Sequence, residues 1–278
     1  MALYFSSINS GSNGNCYYIG NEIEAVLIDV GISCKEVEKR MYRLGLDIRK
    51  VKAVFISHEH SDHIKGLAVF SKKYNLPVYI TPNTLYNSRL VLDSNNTYPF
   101  NDLQPVKIGN LSITAFAKHH DAADPYSFTI EHKNTRVGVF TDIGSVCDRL
   151  IKHFKNCHAA FLEANYDTEM LNNGSYPYYL KRRITSGKGH LSNTEALNLF
   201  VKHKADYMSH LLLSHLSKDN NCPLLVENIF KAAADKTFVK VASRNQESEI
   251  YYTSNELFTE EKYSFNPLLH QPAKLNLF

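Results

Sequence analysis

The feature that most constrains this sequence is a cluster of four potential metal ligands after the apolar run VFIS: His58, His60, Asp62 and His63. Alternate side chains of an extended segment point to the same side, so His58 and His60 would lie together. Asp62 and His63 fall in the first turn of the next helix and would point back across the loop. A solvent-exposed loop is the alternative, but imidazoles this closely spaced repel one another when charged. The cluster therefore predicts two neighbouring metal half-sites at a strand end.

Short runs of apolar, β-branched and aromatic residues, separated by turn residues, predict a chain rich in strands. The predicted strands are residues 2–8, 16–20, 24–30, 52–57, 77–81, 111–117, 126–132, 135–142, 158–164, 207–214, 237–242 and 249–253. The predicted helices are residues 33–44, 62–73 (capped by Ser61), 193–203 and 222–233. The helix over 193–203 has the clearest start, because Ser192 and Glu195 have the spacing of a capping box.

The order of these elements indicates an α+β fold rather than a regular alternation of strand and helix. Many strands with few helices, and no linker rich in Pro or in Gly and Ser, favour two mixed β-sheets packed face to face with helices outside. Residues 1–254 would form one domain, and the polar residues 255–278 would form a C-terminal tail.

Composition excludes several other classes of protein. The 31 Lys and Arg residues against 28 Asp and Glu residues leave a formal charge of +3, which is too small to indicate a nucleic-acid partner by itself. Five cysteines without CxxC spacing favour neither a disulfide framework nor a zinc ribbon. The start lacks a basic leader, and no run approaches the roughly 18 apolar residues of a membrane span. The sequence therefore predicts a cytoplasmic protein that does not enter the membrane.

Further candidate ligands follow other predicted strands. Asp142 ends the run TRVGVFTD, His119 and His120 follow LSITAFA, and His215 follows LLLS. A pair of first-row metals needs more ligands than one cluster offers, and a bridging carboxylate commonly holds such a pair roughly 3.5–4 Å apart. Each of these residues taken alone could equally be a capping or surface residue. Together they predict that ligands from distant strands converge at one rim of the sheets.

Several motifs in this order resemble a known family: SGSNGNCYYIG, HEHSDHIKG, HHDAADP, FTDIG, LEANYD, GHLSN and SHLSKDNN. Over about residues 1–253 the chain resembles the metallo-β-lactamase-fold hydrolase superfamily. More narrowly, it resembles the YycJ (WalJ)-like group, a bacterial group linked to DNA exonuclease activity. The resemblance implies a four-layer αββα sandwich with two metals at one edge. It argues against antibiotic hydrolysis, since class B β-lactamases do not usually carry an aspartate at the position of Asp142.

The resemblance also implies one set of ligands around two divalent metal ions. The first ion would be bound by His58, His60 and His120, and the second by Asp62, His63 and His215, with Asp142 bridging both. His120 is preferred to His119 because it directly precedes the DAADP turn. Zinc is the first expectation, with manganese or iron as alternatives, because imidazole and carboxylate ligands suit all three metals.

The expected reaction is attack of a metal-bound hydroxide on a phosphodiester. The catalytic candidates are Asp62 and His190. His190 would protonate the leaving oxygen, oriented by a carboxylate such as Glu163 or Asp167. Nucleases and phosphodiesterases of the superfamily have a comparable histidine outside the metal ligands, whereas an ordinary loop histidine before a helix is the alternative.

Polar residues after other predicted strands would support the metal ligands or contact the substrate. They are Asp29, Glu163, Asn165, Ser217, Lys218, Asn220 and Asn221. Asp29 is expected to accept a hydrogen bond from a ligand imidazole, although a turn cap is also consistent with its position. The segment SGSNGN could offer backbone N–H groups to a phosphate, and a plain hairpin turn explains it equally well.

Nucleic acid, first of all DNA, is the expected substrate. The family likeness favours it, and Lys181, Arg182 and Arg183 lie close to three tyrosines in a basic, aromatic stretch. The alternatives are a small-molecule hydrolase, such as a cyclic phosphodiesterase or a lactonase, and a metal-binding regulatory protein without turnover.

The C-terminal sequence LNLF predicts a further partner. It resembles the short LxLF-type peptides by which bacterial DNA enzymes bind the sliding clamp, with Leu275, Leu277 and Phe278 as apolar anchors. Lys274 replaces the usual glutamine before the first leucine. Packing of this segment on its own domain is the alternative.

Overall fold

The apolar runs of the sequence form fourteen strands in the computed structural model, which describes residues 2–255. In chain order the strands are β1 (Ala2–Asn9), β2 (Cys16–Gly20), β3 (Ala25–Ile28), β4 (Val51–Phe55), β5 (Val78–Tyr79), β6 (Thr97–Tyr98), β7 (Val106–Ile108), β8 (Leu111–Ala117), β9 (Tyr126–His132), β10 (Thr135–Phe140), β11 (Ala159–Glu163), β12 (His210–Ser214), β13 (Phe238–Val241) and β14 (Tyr251–Ser254). All twelve predicted strands are present, and the two that were not predicted, β6 and β7, are only two and three residues long.

The helices are short and lie between the strands. They are α1 (Cys34–Arg43), α2 (Ser61–Ile64), α3 (Leu67–Tyr74), α4 (Pro82–Ser88), α5 (Asp148–Phe154), α6 (Thr168–Asn173), α7 (Tyr178–Ile184), α8 (Asn193–His203) and α9 (Pro223–Lys231), with 3₁₀ turns at Ile48–Lys50 and Ser94–Asn96. The predicted capping box at the start of α8 is confirmed, because Ser192 and Glu195 bond to each other's backbone N–H groups. The sequence pattern missed α4 to α7, each of which has only six or seven residues.

The strands form two seven-stranded mixed sheets. The first has the order β14-β1-β2-β3-β4-β5-β6, and the second has the order β13-β12-β11-β10-β9-β8-β7. Strands β3 to β6 run parallel in the first sheet, as do β10 to β13 in the second, and the remaining pairs are antiparallel. The carboxyl ends of the parallel strands therefore open on a common rim, where functional groups are most often found in such sheets.

Three apolar layers hold the fold together. Phe5, Phe128 and Phe161 pack in the layer between the two sheets. A second layer joins the first sheet to α1 and α3, and a third joins the second sheet to α5, α8 and α9. These layers confirm the expected four-layer αββα sandwich, since each sheet buries one face against the other sheet and one against helices.

The predicted single helix over residues 62–73 is instead two helices that break at Gly66. The Gly66 N–H donates to the Val30 carbonyl at 2.8 Å, and a Cβ at this position would lie 2.0 Å from the Ile32 carbonyl oxygen. Only glycine allows this approach, so the chain bends here toward the end of β3. Ser61 is also not the cap: it is the first helical residue, and His60 precedes it without a capping side-chain bond.

The proposed domain boundary at residue 254 and the C-terminal tail stay predictions. Residues 256–278 lie outside the described part of the chain, and with them the clamp-binding candidates Leu275, Leu277 and Phe278. Within residues 2–255, no helix combines the length and the apolar character that a bilayer crossing requires.

Candidate metal centre

Polar residues converge on the common rim of the two sheets because each follows a strand that ends there. They are Asp29 after β3, residues 58–63 after β4, His120 after β8, Asp142 after β10, Glu163 at the end of β11 and His215 after β12. The apolar body of each strand is buried between layers, so polar residues at its end or within a few positions beyond it are left at the rim. This arrangement gathers titratable groups from both sheets into one place.

Three of these residues adopt left-handed backbone conformations. The φ angles are 62° at Asp29, 54° at Asp142 and 54° at His215. Aspartate and histidine enter this region more readily than β-branched residues, but it still costs about 1 kcal/mol or more. The backbone thus turns sharply at each strand end, and strain of this kind is found most often at functional sites.

The first group of ligand atoms comes from three histidines. His58 Nε2 lies 3.0 Å from His60 Nδ1, and His120 Nε2 lies 3.3 Å from the same His60 nitrogen. The candidate ligand atoms of the three rings all lie within 4.8 Å of one another. His119 points elsewhere: it is exposed, and its Nδ1 lies 2.7 Å from Ser145 Oγ. The structure therefore brings His120, and not His119, to the other two imidazoles.

The second group contains Asp62, His63, Asp142 and His215, again with ligand atoms within 4.8 Å of one another. His63 Nε2 lies 3.1 Å from Asp142 Oδ2, and His215 Nε2 lies 3.4 Å from Asp62 Oδ2. The other oxygen of Asp142, Oδ1, lies 3.8 Å from His120 Nε2 in the first group. Asp142 therefore faces both groups, in the position expected for a bridging carboxylate.

Four of the five imidazoles are fixed through their Nδ1 atoms, which point away from the centre. The contacts are His58 with Ser57 Oγ at 2.9 Å, His63 with Asp29 at 2.7 Å, His120 with the Gly189 carbonyl at 3.0 Å and His215 with Glu163 at 3.0 Å. Carbonyl and carboxylate oxygens only accept hydrogen bonds, so Nδ1 carries the proton in the last three. Their Nε2 lone pairs are then directed inward, as ligation of a metal requires.

Asp29 orients ligands of both groups. Its Oδ1 accepts from the Ser57 N–H at 2.8 Å, and its Oδ2 accepts from Ser57 Oγ at 2.7 Å as well as from His63 Nδ1. Because the Ser57 hydroxyl donates to Asp29, it accepts from His58 Nδ1, which sets the tautomer of that ring too. One buried carboxylate thus holds His63 directly and His58 through Ser57.

The residues of this centre fit a divalent metal ion. Asp142 Oδ2 is buried and lacks a hydrogen-bond partner, although His63 Nε2 lies 3.1 Å away. With its only proton on Nδ1, the His63 ring would face this oxygen as a second acceptor, so the two atoms need either a second proton on the ring or a cation between them. Imidazole and carboxylate donors at this spacing are the ligands that zinc, manganese and iron prefer.

The pKa shifts of two histidines, with the protein alone considered, also indicate that the buried carboxylates need positive charge beside them. Burial by itself lowers the pKa of His63, but Asp142, Asp29 and Asp62 together raise it well above its usual value. The pKa of His215 is likewise lowered by burial yet raised overall to about 10, mainly by Asp142 and then by Asp62 and Glu163. Protons on these rings balance the buried carboxylates when no metal does so.

Glu163 joins His190 to the metal centre. Its Oε1 accepts from His190 Nδ1 at 2.8 Å and from His215 Nδ1 at 3.0 Å. Its Oε2 accepts from the backbone N–H groups of Ile143 at 2.8 Å and Leu191 at 3.0 Å. Burial alone would raise the Glu163 pKa, but the two histidines hold it at about 2. The carboxylate is therefore ionised and can orient both rings at neutral pH.

Asp167, the other carboxylate considered for this role, lies elsewhere. Its Oδ1 accepts from the backbone N–H groups of Glu169 and Met170, both at 3.0 Å, and so it caps α6. Glu163 reaches His190 because residues 165 and 166 after β11 pair with residues 191–193. This pairing carries His190 to the end of β11.

The remaining predicted residues divide into two kinds. Asn165 donates to the His215 carbonyl at 2.7 Å and supports that ligand, while Ser217 and Lys218 lie at the open rim. Asn220 and Asn221 depart from the rim position expected of them, because both are buried. Asn221 Nδ2 donates to the carbonyls of residues 164 and 165, so its amide holds the loop beneath the centre instead of facing a substrate.

Two residues of the centre were missed by the sequence analysis. Ser57 connects Asp29 to His58, as described above. Lys118 is buried, and its Nζ donates to the Thr141 carbonyl at 2.7 Å, which ties the end of β8 to the turn that carries Asp142. A lysine directly after an apolar strand and directly before two histidines was the available signal.

Comparison with known proteins identifies the same family that the sequence motifs resemble. A family model described as "Beta-lactamase superfamily domain" matches residues 24–215. "Exodeoxyribonuclease YycJ" of Bacillus anthracis is 37% identical over 227 residues, which cover 80% of this chain and 85% of that protein. "Exodeoxyribonuclease WalJ" of Streptococcus pneumoniae is 32% identical over 222 residues, which cover 78% of this chain and 82% of that protein.

A solved structure supports the fold independently of close sequence similarity. The metallo-β-lactamase fold protein YhfI from Bacillus subtilis superposes with a TM-score of 0.71 at 20% identity, covering 90% of this chain and 99% of that chain. The fold agrees with the family model and with the relatives over most of the chain. The chain belongs to the β-lactamase superfamily, is similar over most of its length to the YycJ and WalJ proteins, and is a metal-dependent hydrolase.

Proposed function

We propose that this chain is a nuclease that hydrolyses the phosphodiester bonds of DNA, acting as an exonuclease. The observation that carries the proposal is the His190–Glu163 pair, held at 2.8 Å beside the ligand groups but on the open side of the centre. The side chain of His190 is 18% exposed, whereas those of the four best-buried ligand rings and Asp142 are 3% exposed or less. The names of the two relatives, both exodeoxyribonucleases, support the choice of DNA.

Two divalent cations would be held by residues of this chain at the rim. The ligands would be His58, His60 and His120 for one cation and Asp62, His63 and His215 for the other, with Asp142 shared. When bound, such cations make hydroxide available near neutral pH and neutralise negative charge on a phosphate. Asp62 is the most exposed carboxylate of the set, and its expected role in catalysis stays a prediction.

His190 would deliver the proton that the leaving oxygen needs. Its Nδ1 is engaged by Glu163, so the proton available for transfer sits on Nε2 of the charged ring. Glu163 is ionised and buried, and it stabilises the imidazolium before transfer and the correct ring orientation afterwards. The leaving alkoxide is thereby neutralised as the P–O bond breaks, and the ring regains its proton from solvent through its exposed face.

Helix α7 favours a polymeric substrate. Tyr178 and Tyr179 are each 75% exposed, and the Arg182 guanidinium lies over the Tyr178 ring at 5.9 Å. Arg183 forms an ion pair with Asp121, which directly follows His120, so α7 is attached to the metal centre. Exposed aromatic rings beside positive charge are suited to stacking bases and attracting the phosphate backbone of a single strand.

The test is to incubate metal-loaded protein with end-labelled single-stranded DNA, duplex DNA and RNA, alongside bis(4-nitrophenyl) phosphate. We expect DNA to be shortened stepwise from one end. Adding zinc, manganese and iron separately to metal-free protein shows which metal restores turnover. Tyr178→Ala together with Tyr179→Ala should weaken oligonucleotide turnover roughly tenfold or more relative to the small ester, since each stacked base contributes about 1–3 kcal/mol.

The matched control is Tyr42→Ala, which removes a 73% exposed tyrosine from α1 on the outer face of the first sheet. It should cleave both substrates as the unaltered protein does. Turnover of the small ester with none of any polymer would replace the nuclease by a small-molecule hydrolase. Absence of turnover with every metal and substrate would leave the non-catalytic alternative.

A further inference from the structure

The loop between β1 and β2 connects the metal centre to the surface beside it. At one end, Ser10 Oγ accepts from the His215 N–H at 2.8 Å. At the other end, Asn15 Nδ2 lies 3.2 Å from Asp62 Oδ2 and 3.1 Å from His63 Nε2. Gly11 lies between them and has a φ of 139°, which residues other than glycine rarely adopt. The loop therefore lies directly against the ligands of the second group.

Arg244 covers the outer side of this loop. Its carbonyl accepts from Asn13 Nδ2 at 2.6 Å, and its Cβ would lie 3.3 Å from a Cβ placed on Gly11. The preceding residue, Ser243, accepts from the Ser10 N–H at 3.3 Å. The backbone of Arg244 is thus held against a loop that itself contacts the candidate metal ligands.

The guanidinium of Arg244 is not neutralised within the described residues 2–255. Its Nη1 is buried without a hydrogen-bond partner, and no carboxylate of these residues forms an ion pair with it. A buried guanidinium nitrogen left without an acceptor costs free energy, because buried polar groups usually have a hydrogen-bond partner. Arg244 as a whole is half-buried, so an anion from solution can approach its side chain. Fork-shaped guanidinium donors match the oxygens of a phosphate.

The surroundings of this guanidinium are polar and include Tyr176 and its acidic partner Asp219. Tyr176 lies within electrostatic range of Arg244, which opposes the rise in the Tyr176 pKa caused by burial and by Asp219. Asp219 is exposed and accepts from the Tyr176 hydroxyl at 3.0 Å. Ser217 also interacts with Tyr176 through its side chain, and the exposed Lys218 follows it in sequence. Asp219 keeps its charge when it accepts from Tyr176, but it forms no ion pair with Arg244 within residues 2–255, so the charge of the arginine is left for another anion.

We propose that Arg244, with the Ser10–Asn15 loop and Ser217, forms a phosphate subsite that binds the backbone phosphate next to the bond being cleaved. The proposal rests on the nuclease function proposed above, because a substrate with a single phosphate would not reach it. It adds a residue that contacts substrate and lies far along the sequence from every metal ligand.

The test measures binding of the metal-loaded protein to a short fluorescent oligothymidylate with phosphorothioate linkages, which keep the backbone charge and slow cleavage, over a range of salt concentrations. Loss of one phosphate contact makes the slope of log K against log salt shallower by about 0.7 for a single strand. Arg244→Ala should show this change and bind about tenfold more weakly, as expected for one charge-assisted contact. Arg244→Lys should keep the slope but recover only part of the affinity, because the charge remains and the fork is lost.

The matched control is Arg49→Ala, which removes an exposed arginine paired with Asp47 at the opposite end of β4 from the metal centre. It should bind as the unaltered protein does. In turnover assays, Arg244→Ala should lose about tenfold more kcat/KM on the oligonucleotide than on bis(4-nitrophenyl) phosphate. Thermal melting of Arg244→Ala and Arg244→Lys checks that both are folded.

The outcomes separate the two proposals. If the unaltered protein cleaves oligonucleotides but Arg244→Ala binds and cleaves them equally well, the subsite is wrong and the nuclease function stands. Equal weakening by Arg49→Ala would also overturn the subsite, because any positive charge would then suffice. If the unaltered protein neither binds nor cleaves oligonucleotides yet hydrolyses the small ester, the nuclease function itself fails.

Discussion

At the scale of single residues, two buried carboxylates organise the metal centre from opposite sheets. Asp29 at the end of β3 orients His63 and, through Ser57, His58. Glu163 at the end of β11 orients His215 and His190. Each carboxylate also accepts at least one backbone N–H, so its own position is held by the fold. Such outer partners commonly change metal affinity or activity by about 10–100-fold when they are removed.

His190→Ala tests the general acid. We expect kcat to fall by about 10²–10⁴-fold with the metal content unchanged, because the imidazole that protonates the leaving oxygen is lost while every expected ligand remains. Steady-state rates on a phosphodiester and elemental analysis of the same preparation measure the two quantities.

His119→Ala is the matched control for this substitution. It removes an exposed histidine that contacts Ser145 and lies outside the ligand groups, so activity should stay close to that of the unaltered protein. A loss of metal in His190→Ala would assign this ring to the ligands, and an unchanged kcat would remove it from catalysis.

At the scale of elements, the centre is built from strand ends and from the sharp turns that follow them. Left-handed backbone at Asp29, Asp142 and His215 turns the chain where β3, β10 and β12 end. The broken helix after β4 has a similar effect, because Gly66 brings α2 and α3 against the segment that follows β3. Local geometry at four chain segments therefore determines where the ligands point.

Gly66→Ala tests the helix break. A methyl group at this position would lie 2.0 Å from the Ile32 carbonyl oxygen, so the backbone must shift. We expect a loss of about 3 kcal/mol in the free energy of unfolding, at the upper end of overpacking effects, together with weaker metal binding. Urea denaturation and metal titration measure these changes.

Gly45→Ala provides the comparison, because Gly45 has a φ of 68° and no atom lies within 4 Å of an added Cβ. It should cost only the backbone penalty of roughly 1–2 kcal/mol and leave metal binding unchanged. Equal effects of the two substitutions would show that contact with Ile32 is not what requires glycine at position 66.

At the scale of the whole molecule, the metal centre joins the two sheets. Ligands of the second group come from both, since residues 62 and 63 follow β4 in one sheet and residues 142 and 215 follow β10 and β12 in the other. A cation bound there would link the sheets at the rim, and its binding free energy would contribute to folding because the unfolded chain does not present the same ligands.

Metal removal should therefore destabilise the protein as a whole. At metal concentrations 100- to 1,000-fold above Kd, the loss is about 3–4 kcal/mol per site, or roughly 10 °C in Tm for a chain of this size. Differential scanning fluorimetry with a chelator measures the shift, and the chelator presaturated with metal serves as control. A Tm that does not respond, with no metal found by elemental analysis, would contradict the dinuclear centre.

His210 makes stability depend on pH at the start of β12, at the opposite end of this strand from His215. Its ring packs against Phe5, Phe238 and Tyr251, and burial lowers its pKa to about 4. The unfolded chain binds this proton more readily than the folded one, so the contribution of His210 to stability is full above about pH 6.5 and is lost as the pH drops toward 4. The loss reaches about 3 kcal/mol at most.

His210→Phe should remove this part of the acid sensitivity while keeping an aromatic ring in the core. Urea denaturation between pH 7.5 and 4.5 measures it. The same substitution at His203, in the last turn of α8, shows how much of the change comes from exchanging any histidine of the protein for phenylalanine. A His210→Phe protein as acid-sensitive as the unaltered one would exclude His210 as the cause.

The sequence by itself determined the strand-rich two-sheet class, the capping box of α8, the family and the types of ligand that the rim would carry. These features are local in the chain: apolar runs, an S-x-x-E spacing and an HxHxDH cluster are each complete within a few residues. The short helices α4 to α7 were missed because fewer than two turns show no clear periodicity.

Only the tertiary structure decided which of His119 and His120 faces the other imidazoles, that Glu163 and not Asp167 contacts His190, and that Arg244 lies against the first loop. It also turned Asn221 inward and Lys118 toward Thr141. Each of these choices depends on contacts between residues tens to hundreds of positions apart. Two adjacent residues of the same type, such as His119 and His120, cannot be told apart in the sequence. They differ only after the two sheets pack, because one side chain is then directed into the rim and the other away from it.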